Sequence, residues 1–135
     1  MVHKTDEEWR RTLTPEQFQV LREHGTEPRG SSPLNLEKRE GTFLCGACGQ
    51  PLFTSDTKYE SGTGWPSFYR PIDGAIGTTT DTSYGMRRVE VHCSQCGGHL
   101  GHVFPDGPVP TCERYCMNGV ALRFEPKPQA LSPER

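Results

Sequence analysis

The chain has 135 residues, a length that favours a single domain with its own core. A formal net charge of −2 gives no reason to expect nucleic acid or an anionic membrane as a partner. The first residues run straight into acidic side chains, and no window is apolar enough for a membrane span, so neither a signal peptide nor a span is expected. Only 32% of the residues are hydrophobic, whereas 15 Gly and 12 Pro predict many turns around a modest core.

Two short helices are predicted near the N-terminus. Thr5 and Glu8 have the spacing of a capping box, which indicates a helix that begins after Thr5. Thr14 and Gln17 repeat this signal with proline at the first helical position. Gly25 is expected to end the second helix, because glycine readily adopts the left-handed conformation found at helix ends.

The rest of the chain has the pattern of β-strands separated by turns. The strand-like runs are Thr42–Leu44, Pro51–Phe53, Arg88–His92 and Val120–Glu125. In the last run Val120, Leu122 and Phe124 fall on one face. The predicted fold class is therefore mainly β and antiparallel, with helices confined to the N-terminus.

The pattern divides the chain into three parts. Residues 1–40 are interpreted as helices and a connecting arm packed on the domain, where the arm is rich in Pro, Gly and Ser. Residues 41–126 are interpreted as the β domain. Residues 127–135 contain several prolines and are expected to be a flexible tail.

Four cysteines form two C-x-x-C pairs, each followed by glycine: Cys45, Cys48, Cys93 and Cys96. This spacing is typical of zinc knuckles, and four thiolates make a closed tetrahedral structural site. Two alternatives are a redox pair, which favours a βαβ context not found here, and disulfides, which favour an exported chain. We predict one structural zinc per chain, which would link the ends of a long central segment and compensate for a small core.

Two cysteines remain, Cys112 and Cys116. Arg114 lies two positions before Cys116, so in an extended segment both side chains share a face and the guanidinium favours the thiolate. Cys116 is therefore a candidate reactive cysteine. The alternative is a buried, unreactive thiol, because cysteine is common in protein cores.

Two further clusters contain side chains that could take part in catalysis or binding. His99 and His102, separated by Leu100 and Gly101, could act as acid or base, as extra metal ligands, or as packing residues. Trp65 lies in a glycine-rich aromatic segment. It could anchor the core or form one wall of a pocket for a small apolar group.

Several motifs occur in a fixed order between about Thr14 and Pro126: C-G-A-C-G, G-x-G-W-P-S-F, R-V-E-V-x-C-x-x-C-G-x-H-L-G-H-V-F-x-D-G-P and R-Y-C-M-N. Together they resemble the methionine-R-sulfoxide reductases, the MsrB family, in its zinc-containing branch. The resemblance implies two antiparallel sheets with N-terminal helices. It also implies reduction of the R epimer of methionine sulfoxide in proteins or peptides through a cysteine sulfenic acid, which thioredoxin or another thiol then reduces.

The resemblance implies roles for individual residues. Cys116 matches the family's nucleophile, and Arg114 matches the arginine beside it. His102 would protonate the sulfoxide oxygen, assisted by His99 and by a hydrogen bond from Asn118.

The resemblance also implies the substrate contacts and the metal ligands. Trp65 matches the tryptophan that packs on the substrate's S-methyl group, and Phe104 would be a second wall. The four knuckle cysteines match the zinc ligands. A monomer in the cytoplasm is expected, with oxidised proteins or peptides and a thiol reductant as partners and with neither nucleic acid nor membrane.

Two residues depart from the family pattern. Thr63 stands where many members carry a resolving cysteine, and Cys112 stands where the family usually has glycine. Cys112 could replace the missing resolving cysteine, but four extended residues span roughly 13 Å, whereas the Cα atoms of a disulfide lie within about 7 Å. A turn between Cys112 and Cys116 would be required. Direct reduction of the sulfenic acid by an external thiol and an inert Cys112 are the alternatives.

The competing functional class is a zinc-ribbon-like binding module without catalysis. Such ribbons usually keep about 15–20 residues between their cysteine pairs and present a basic or aromatic surface. This chain has a much longer insertion between its pairs and a negative net charge. The sequence therefore favours the enzyme.

Overall fold

The computed structural model describes residues 4–82, 85 and 87–127. Its helices are α1 (Asp6–Thr12) and α2 (Pro15–Glu23). Its strands are β1 (Gly41–Cys45), β2 (Pro51–Thr54), β3 (Lys58–Tyr59), β4 (Ser67–Phe68), β5 (Ile76–Asp81), β6 (Arg88–Cys93), β7 (His99–Phe104), β8 (Arg114–Met117) and β9 (Leu122–Pro126). Nearly all of the predicted tail lies outside the described residues.

The strands form two antiparallel sheets. Within the described residues, one sheet has the order β2-β1-β9 and the other has the order β3-β4-β8-β7-β6-β5. The prediction of a mainly β fold with two antiparallel sheets and short N-terminal helices is confirmed. In the part of the chain that is described, no helix is long and apolar enough to cross a membrane.

The two helices begin where the capping signals place them. Thr5 and Thr14 are the N-caps, and both capping boxes are complete. The predicted end of α2 was wrong by one residue, because His24 and not Gly25 adopts the left-handed conformation, with φ of 59°. The Gly25 N–H still donates to the Gln19 carbonyl at 2.9 Å and so closes the last turn.

Three of the four strand-like runs lie in strands, and the fourth is only partly a strand. Gly119–Ala121 is a 3₁₀ turn, so the strand begins at Leu122 and not at Val120. The turn is fixed because the Ala121 carbonyl accepts a hydrogen bond from Gly46 at 2.7 Å, beside the first cysteine pair. Strand β7, which carries both candidate histidines, has glycine in its centre and therefore gives a weak strand signal.

Aromatic side chains fill the space between the sheets. Phe43 and Phe53 come from the three-stranded sheet, and Phe68 and Tyr115 come from the six-stranded sheet. The rings of Phe53 and Phe68 stack with their centroids 4.3 Å apart, and Phe43 meets Phe68 edge-on at 5.0 Å. Trp9 is almost fully buried and fixes α1 to the same core.

Strands β7 and β8 approach so closely that one position requires glycine. Gly101 pairs with Met117, and the next pair places His102 directly opposite Cys116. A Cβ atom built at Gly101 would lie 2.1 Å from the Cys116 carbonyl oxygen, closer than any real contact. The absence of a side chain at Gly101 therefore allows His102 to lie beside Cys116.

Replacement of Gly101 by alanine should push β7 away from β8. We expect Gly101→Ala to lower the free energy of unfolding by about 1–3 kcal/mol, the usual cost of overpacking. Urea denaturation followed by circular dichroism would measure it. Gly77→Ala in edge strand β5 is the matched control, because the three atoms nearest to its new methyl group all belong to the movable ring of His92. Equal urea midpoints for the two variants would contradict the expectation.

Candidate active site and metal centre

Four cysteine sulfurs from the two sheets meet in one cluster. Cys45 ends β1, and Cys93 ends β6 in the other sheet. The Sγ atoms of Cys45 and Cys96 are 3.7 Å apart, and those of Cys48 and Cys93 are 3.6 Å apart. Zn–S bonds of about 2.3 Å in a tetrahedron place the sulfurs about 3.8 Å apart. The cluster therefore has the dimensions of a tetrathiolate zinc site, and the sulfurs are too far apart for disulfides, whose bonds are about 2.05 Å.

The glycine after each cysteine pair lets the backbone turn around the cluster. Gly49 and Gly97, which follow the two pairs, have φ of 82° and 75°. Backbone N–H groups approach the sulfurs of Cys45 and Cys96 at 3.4 Å. Arg22 of α2 donates to the Cys96 carbonyl at 3.0 Å, so the second helix is also held against this centre.

A separate cavity of about 100 Å³ lies beside Cys116. Its lining residues are Thr26, Trp65, Arg88, Gly101, His102, Phe104, Cys116, Met117 and Asn118. The cavity brings together five of the side chains that the sequence singles out. Two others, Arg114 and His99, lie behind its walls.

The Cys116 thiol is subject to opposing influences. Burial raises its pKa, whereas the Arg114 guanidinium and a hydrogen bond from the Thr63 hydroxyl lower it, and the net shift is upward. The Thr63 hydroxyl is itself oriented, because it lies 2.8 Å from the Ser61 hydroxyl. Ser61 also lies 2.7 Å from the hydroxyl of Ser67, which pairs with Cys116 across β4 and β8.

Arg114 is held rigidly at the edge of the cavity. Its Nε donates to Asp106 at 2.9 Å, and its guanidinium stacks 4.3 Å above the ring of Phe104. This ion pair lowers the pKa of Asp106 and raises that of Arg114. The arginine thus supplies a permanent positive charge near Cys116 and supports Phe104 from behind.

The two candidate histidines have different surroundings. His102 lines the cavity, and its Nε2 is 2.9 Å from Asp81, which also lies 3.4 Å from Arg88. The side chain of His99 is only 3% exposed, and its Nδ1 is 2.7 Å from Glu90. Burial lowers the pKa of His99 against the opposing effect of Glu90. The two rings meet edge to face at 5.4 Å, so His99 supports His102 from behind.

The N-terminal arm contributes a residue that the sequence did not single out. The Glu27 N–H donates to Asn118 Oδ1 at 2.9 Å, and the Glu27 carbonyl accepts from the Trp65 indole at 3.1 Å. Its carboxylate accepts from the Val120 N–H at 2.8 Å. Asn118 in turn donates to the Leu100 carbonyl at 3.0 Å. A single acid in an arm without periodicity gives no sequence signal for this role.

Comparison with known proteins identifies the family. Residues 13–126 match the SelR domain family. The peptide methionine sulfoxide reductase MsrB of Leptospira interrogans is 55% identical over 92% of this chain and 95% of the relative. The MsrB protein of Pseudomonas putida is 58% identical over 93% of this chain and 96% of the relative. That of Methanosarcina barkeri is 58% identical over 92% of this chain and 88% of the relative.

The chain belongs to the MsrB family. The resemblance predicted from the motifs is therefore confirmed, and the matched region agrees closely with the predicted span.

The two departures from the MsrB pattern have different surroundings. Thr63 contacts Cys116 through its hydroxyl. Cys112 is exposed in a turn with φ of 60°, a conformation that suits the glycine usual in the family. Because β8 is already extended from Arg114, no turn lies between Arg114 and Cys116 to bring the Cys112 thiol close.

The contact between Thr63 and Cys116 predicts a shift in reactivity. Thr63→Val removes the hydroxyl donor but keeps the shape, so the pKa of Cys116 should rise further and less thiolate should be present at neutral pH. Alkylation of Cys116 by iodoacetamide, followed by peptide mass mapping, should become slower at pH 7, and its pH profile should move upward. Thr63→Ser is the control that keeps the donor. A profile for Thr63→Val equal to that of the wild type would contradict the role of the hydroxyl.

Proposed function

We propose that this chain reduces the R epimer of methionine sulfoxide in proteins or peptides to methionine, with Cys116 as the nucleophile. The observation that chiefly supports this is the cavity in which Cys116 lies beside His102 and Trp65. Membership of the MsrB family supports the same reaction. A zinc-ribbon-like binding module would not need a half-buried thiol and an aromatic wall around one cavity.

The chemical step transfers one oxygen atom. The Cys116 thiolate attacks the sulfoxide sulfur and forms a sulfur–sulfur bond. The oxygen then moves from the substrate sulfur to the Cys116 sulfur, while the sulfur–sulfur bond breaks and methionine leaves with its electron pair. The oxygen remains on Cys116 as a sulfenic acid and takes up one proton. Cys116 is thus oxidised by two electrons while the substrate sulfur is reduced by two.

The proton reaches the oxygen from the wall of the cavity. An S–O bond breaks readily only when its oxygen is protonated, so an acid must lie beside the cysteine. His102 is directly opposite Cys116 across the two strands and is the proposed donor. Asn118 offers a hydrogen bond to the same oxygen from its amide, and His99 positions His102.

The aromatic side chains hold the methyl end of the substrate. The cavity has room for a small group, and Trp65 and Phe104 form apolar faces of it. The Trp65 indole is fixed by the Glu27 carbonyl, and Phe104 is supported by Arg114. Fixing the methyl group decides which epimer presents its sulfur to Cys116.

The four clustered cysteines are proposed to hold one zinc ion. The ligands would be Cys45, Cys48, Cys93 and Cys96, and their mutual distances support this assignment. A tetrathiolate ion has no open coordination position, so zinc would supply structural cross-linking and no step of the reaction. Removal of the ion would leave the two sheet ends without their cross-link.

Regeneration is proposed to occur by direct attack of an external thiol on the Cys116 sulfenic acid. Thr63 cannot form a disulfide, and Cys112 lies in a turn ahead of an extended strand. Thioredoxin or a small thiol would first form a mixed disulfide with Cys116, releasing water. A second thiol would then release the reduced enzyme.

The proposed setting of the enzyme follows the sequence expectations. We expect a cytoplasmic monomer whose partners are oxidised proteins or peptides and a thiol reductant. Residues 1–40 would serve as an integral arm of the β domain of residues 41–126. The contacts of Glu27 with Trp65 and Asn118 support this role of the arm, because they hold two side chains that line the cavity.

Replacement of the nucleophile tests the reaction. Cys116→Ser should abolish reduction of peptidyl methionine-R-sulfoxide, because a serine hydroxyl is a far weaker nucleophile than a thiolate. Chromatography of both sulfoxide epimers after incubation would measure this, and the wild type should consume only the R epimer. Metal analysis of Cys116→Ser should still give one zinc per chain, as the control for an intact fold. Turnover by the variant would contradict the proposal.

Replacement of Cys112 tests the mode of regeneration. For Cys112→Ser, the rate of the first turnover and the steady-state rate with thioredoxin should both lie within about twofold of the wild-type rates. The reason is that surface substitutions away from a site have little effect on it. Mass mapping of wild type after one turnover without reductant should show sulfenic acid at Cys116, trapped by dimedone. A disulfide between Cys112 and Cys116 would instead make Cys112 the resolving cysteine.

A further inference from the structure

Three metal-ligating side chains meet beside the end of α2, away from the four cysteines. His24 follows α2, Glu90 lies on β6 and His99 begins β7. Glu90 Oε2 is 3.1 Å from His24 Nε2 and 2.7 Å from His99 Nδ1. Glu90 and His99 are buried, whereas the His24 side chain is 66% exposed. The group is therefore open to solvent on one side only.

The geometry points to a second metal site, and we propose that His24, Glu90 and His99 bind a divalent transition-metal ion. Metal–ligand bonds of about 2.0–2.2 Å place neighbouring ligand atoms roughly 2.9–3.5 Å apart. Of the two distances from Glu90 Oε2, that to His24 Nε2 lies within this range and that to His99 Nδ1 lies just below it, so these two pairs need to move by only a few tenths of an ångström. All three ligand atoms lie within 4.8 Å of one another.

The ligand set indicates which ions would bind. Two imidazoles and one carboxylate suit Zn²⁺, Ni²⁺ and Cu²⁺, whereas Mg²⁺ and Ca²⁺ prefer oxygen ligands. No thiol belongs to the group, which separates it chemically from the cysteine cluster. Three protein ligands leave coordination positions for water on the exposed side of His24, so binding would be reversible.

Metal binding would change the protonation pattern of His99. Without metal, the Glu90 carboxylate accepts a hydrogen bond, so the proton of the neutral His99 ring lies on Nδ1. An ion bound to Nδ1 requires its lone pair, and the single ring proton then moves to Nε2. In the described structure Nε2 is buried without a hydrogen-bond partner. The ion would thus convert this nitrogen from an acceptor into a donor.

This change lies next to the proposed catalytic histidine. The ring of His99 contacts that of His102 at 5.4 Å, and the ring of His24 lies 5.1 Å from that of His99. An ion held by His24 and His99 would fix the His99 ring, against which the His102 ring packs. It would also place positive charge on the side of His99 away from Cys116. The site is therefore expected to be inhibitory. Inhibition rests on the proposed function, whereas binding of the ion does not.

Calorimetric titration of the zinc-loaded protein with Ni²⁺ tests the binding. A Cys112→Ser/Cys116→Ser background leaves the cluster cysteines as the only thiols. We expect one additional equivalent of Ni²⁺ with full retention of zinc. His24→Ala should weaken this binding by at least about tenfold, since even the loss of outer-shell partners costs about 10- to 100-fold.

The matched control is His92→Ala on the same strand as Glu90. His92 Nδ1 lies 3.8 Å from the other oxygen of Glu90, so this variant removes a neighbouring imidazole that is not a proposed ligand. It should bind Ni²⁺ as the background protein does. Absence of the additional equivalent, or binding that His24→Ala leaves unchanged, would overturn the proposal. Nitrogen NMR of His99 with Zn²⁺ should also show the proton moving from Nδ1 to Nε2.

Single-turnover methionine formation tests the inhibition without thiols that would chelate the ion. One equivalent of Ni²⁺ should slow the wild type several-fold, and a chelator for Ni²⁺ should restore the rate. One equivalent of Ni²⁺ should leave the single-turnover rate of His24→Ala equal to the rate of the same variant without Ni²⁺. Binding of Ni²⁺ without slower turnover would contradict the inhibitory role and leave the metal site itself supported. Absence of activity in the zinc-loaded wild type before Ni²⁺ is added would count against the proposed function, and the calorimetry would still decide the site.

Discussion

The convergence of four cysteine sulfurs is the constraint on which most of this fold depends. Cys45 and Cys93 end strands of different sheets, so the cluster fixes the sheets relative to each other at one end, while the stacked rings of Phe53 and Phe68 join them through the core. Helix α2 is held against the same centre through Arg22. The proposed zinc would limit the freedom of the unfolded chain and so compensate for the modest hydrophobic fraction.

The candidate active site uses the rigid part of this framework. Strands β7 and β8 place His102 opposite Cys116, and Gly101 permits their close approach. Arg114 and Thr63 favour the thiolate, and burial opposes them. The net shift of the Cys116 pKa is upward, so this half-buried thiol ionises less readily than an exposed cysteine.

Two buried glutamates organise the histidines and the arm. Glu90 links His99 to His24, and Glu27 links the arm to Trp65 and Asn118. Both glutamates are nearly inaccessible. Glu90 acts through its carboxylate, whereas Glu27 holds Trp65 and Asn118 through its backbone carbonyl and N–H, and one of its carboxylate oxygens accepts from the Val120 N–H.

The sequence by itself determined the two capping boxes, the mainly β class, the family and the pairing of the four cysteines, because these depend on local spacing. It also singled out Cys116, His102 and Trp65 as chemically competent. Only the tertiary structure decided that Val120 lies in a 3₁₀ turn, that His99 stands behind His102 and that Glu27 completes the site. These features depend on contacts between residues far apart in the chain, such as Gly46 with Ala121 and Glu27 with Asn118, for which a single sequence carries no periodic signal.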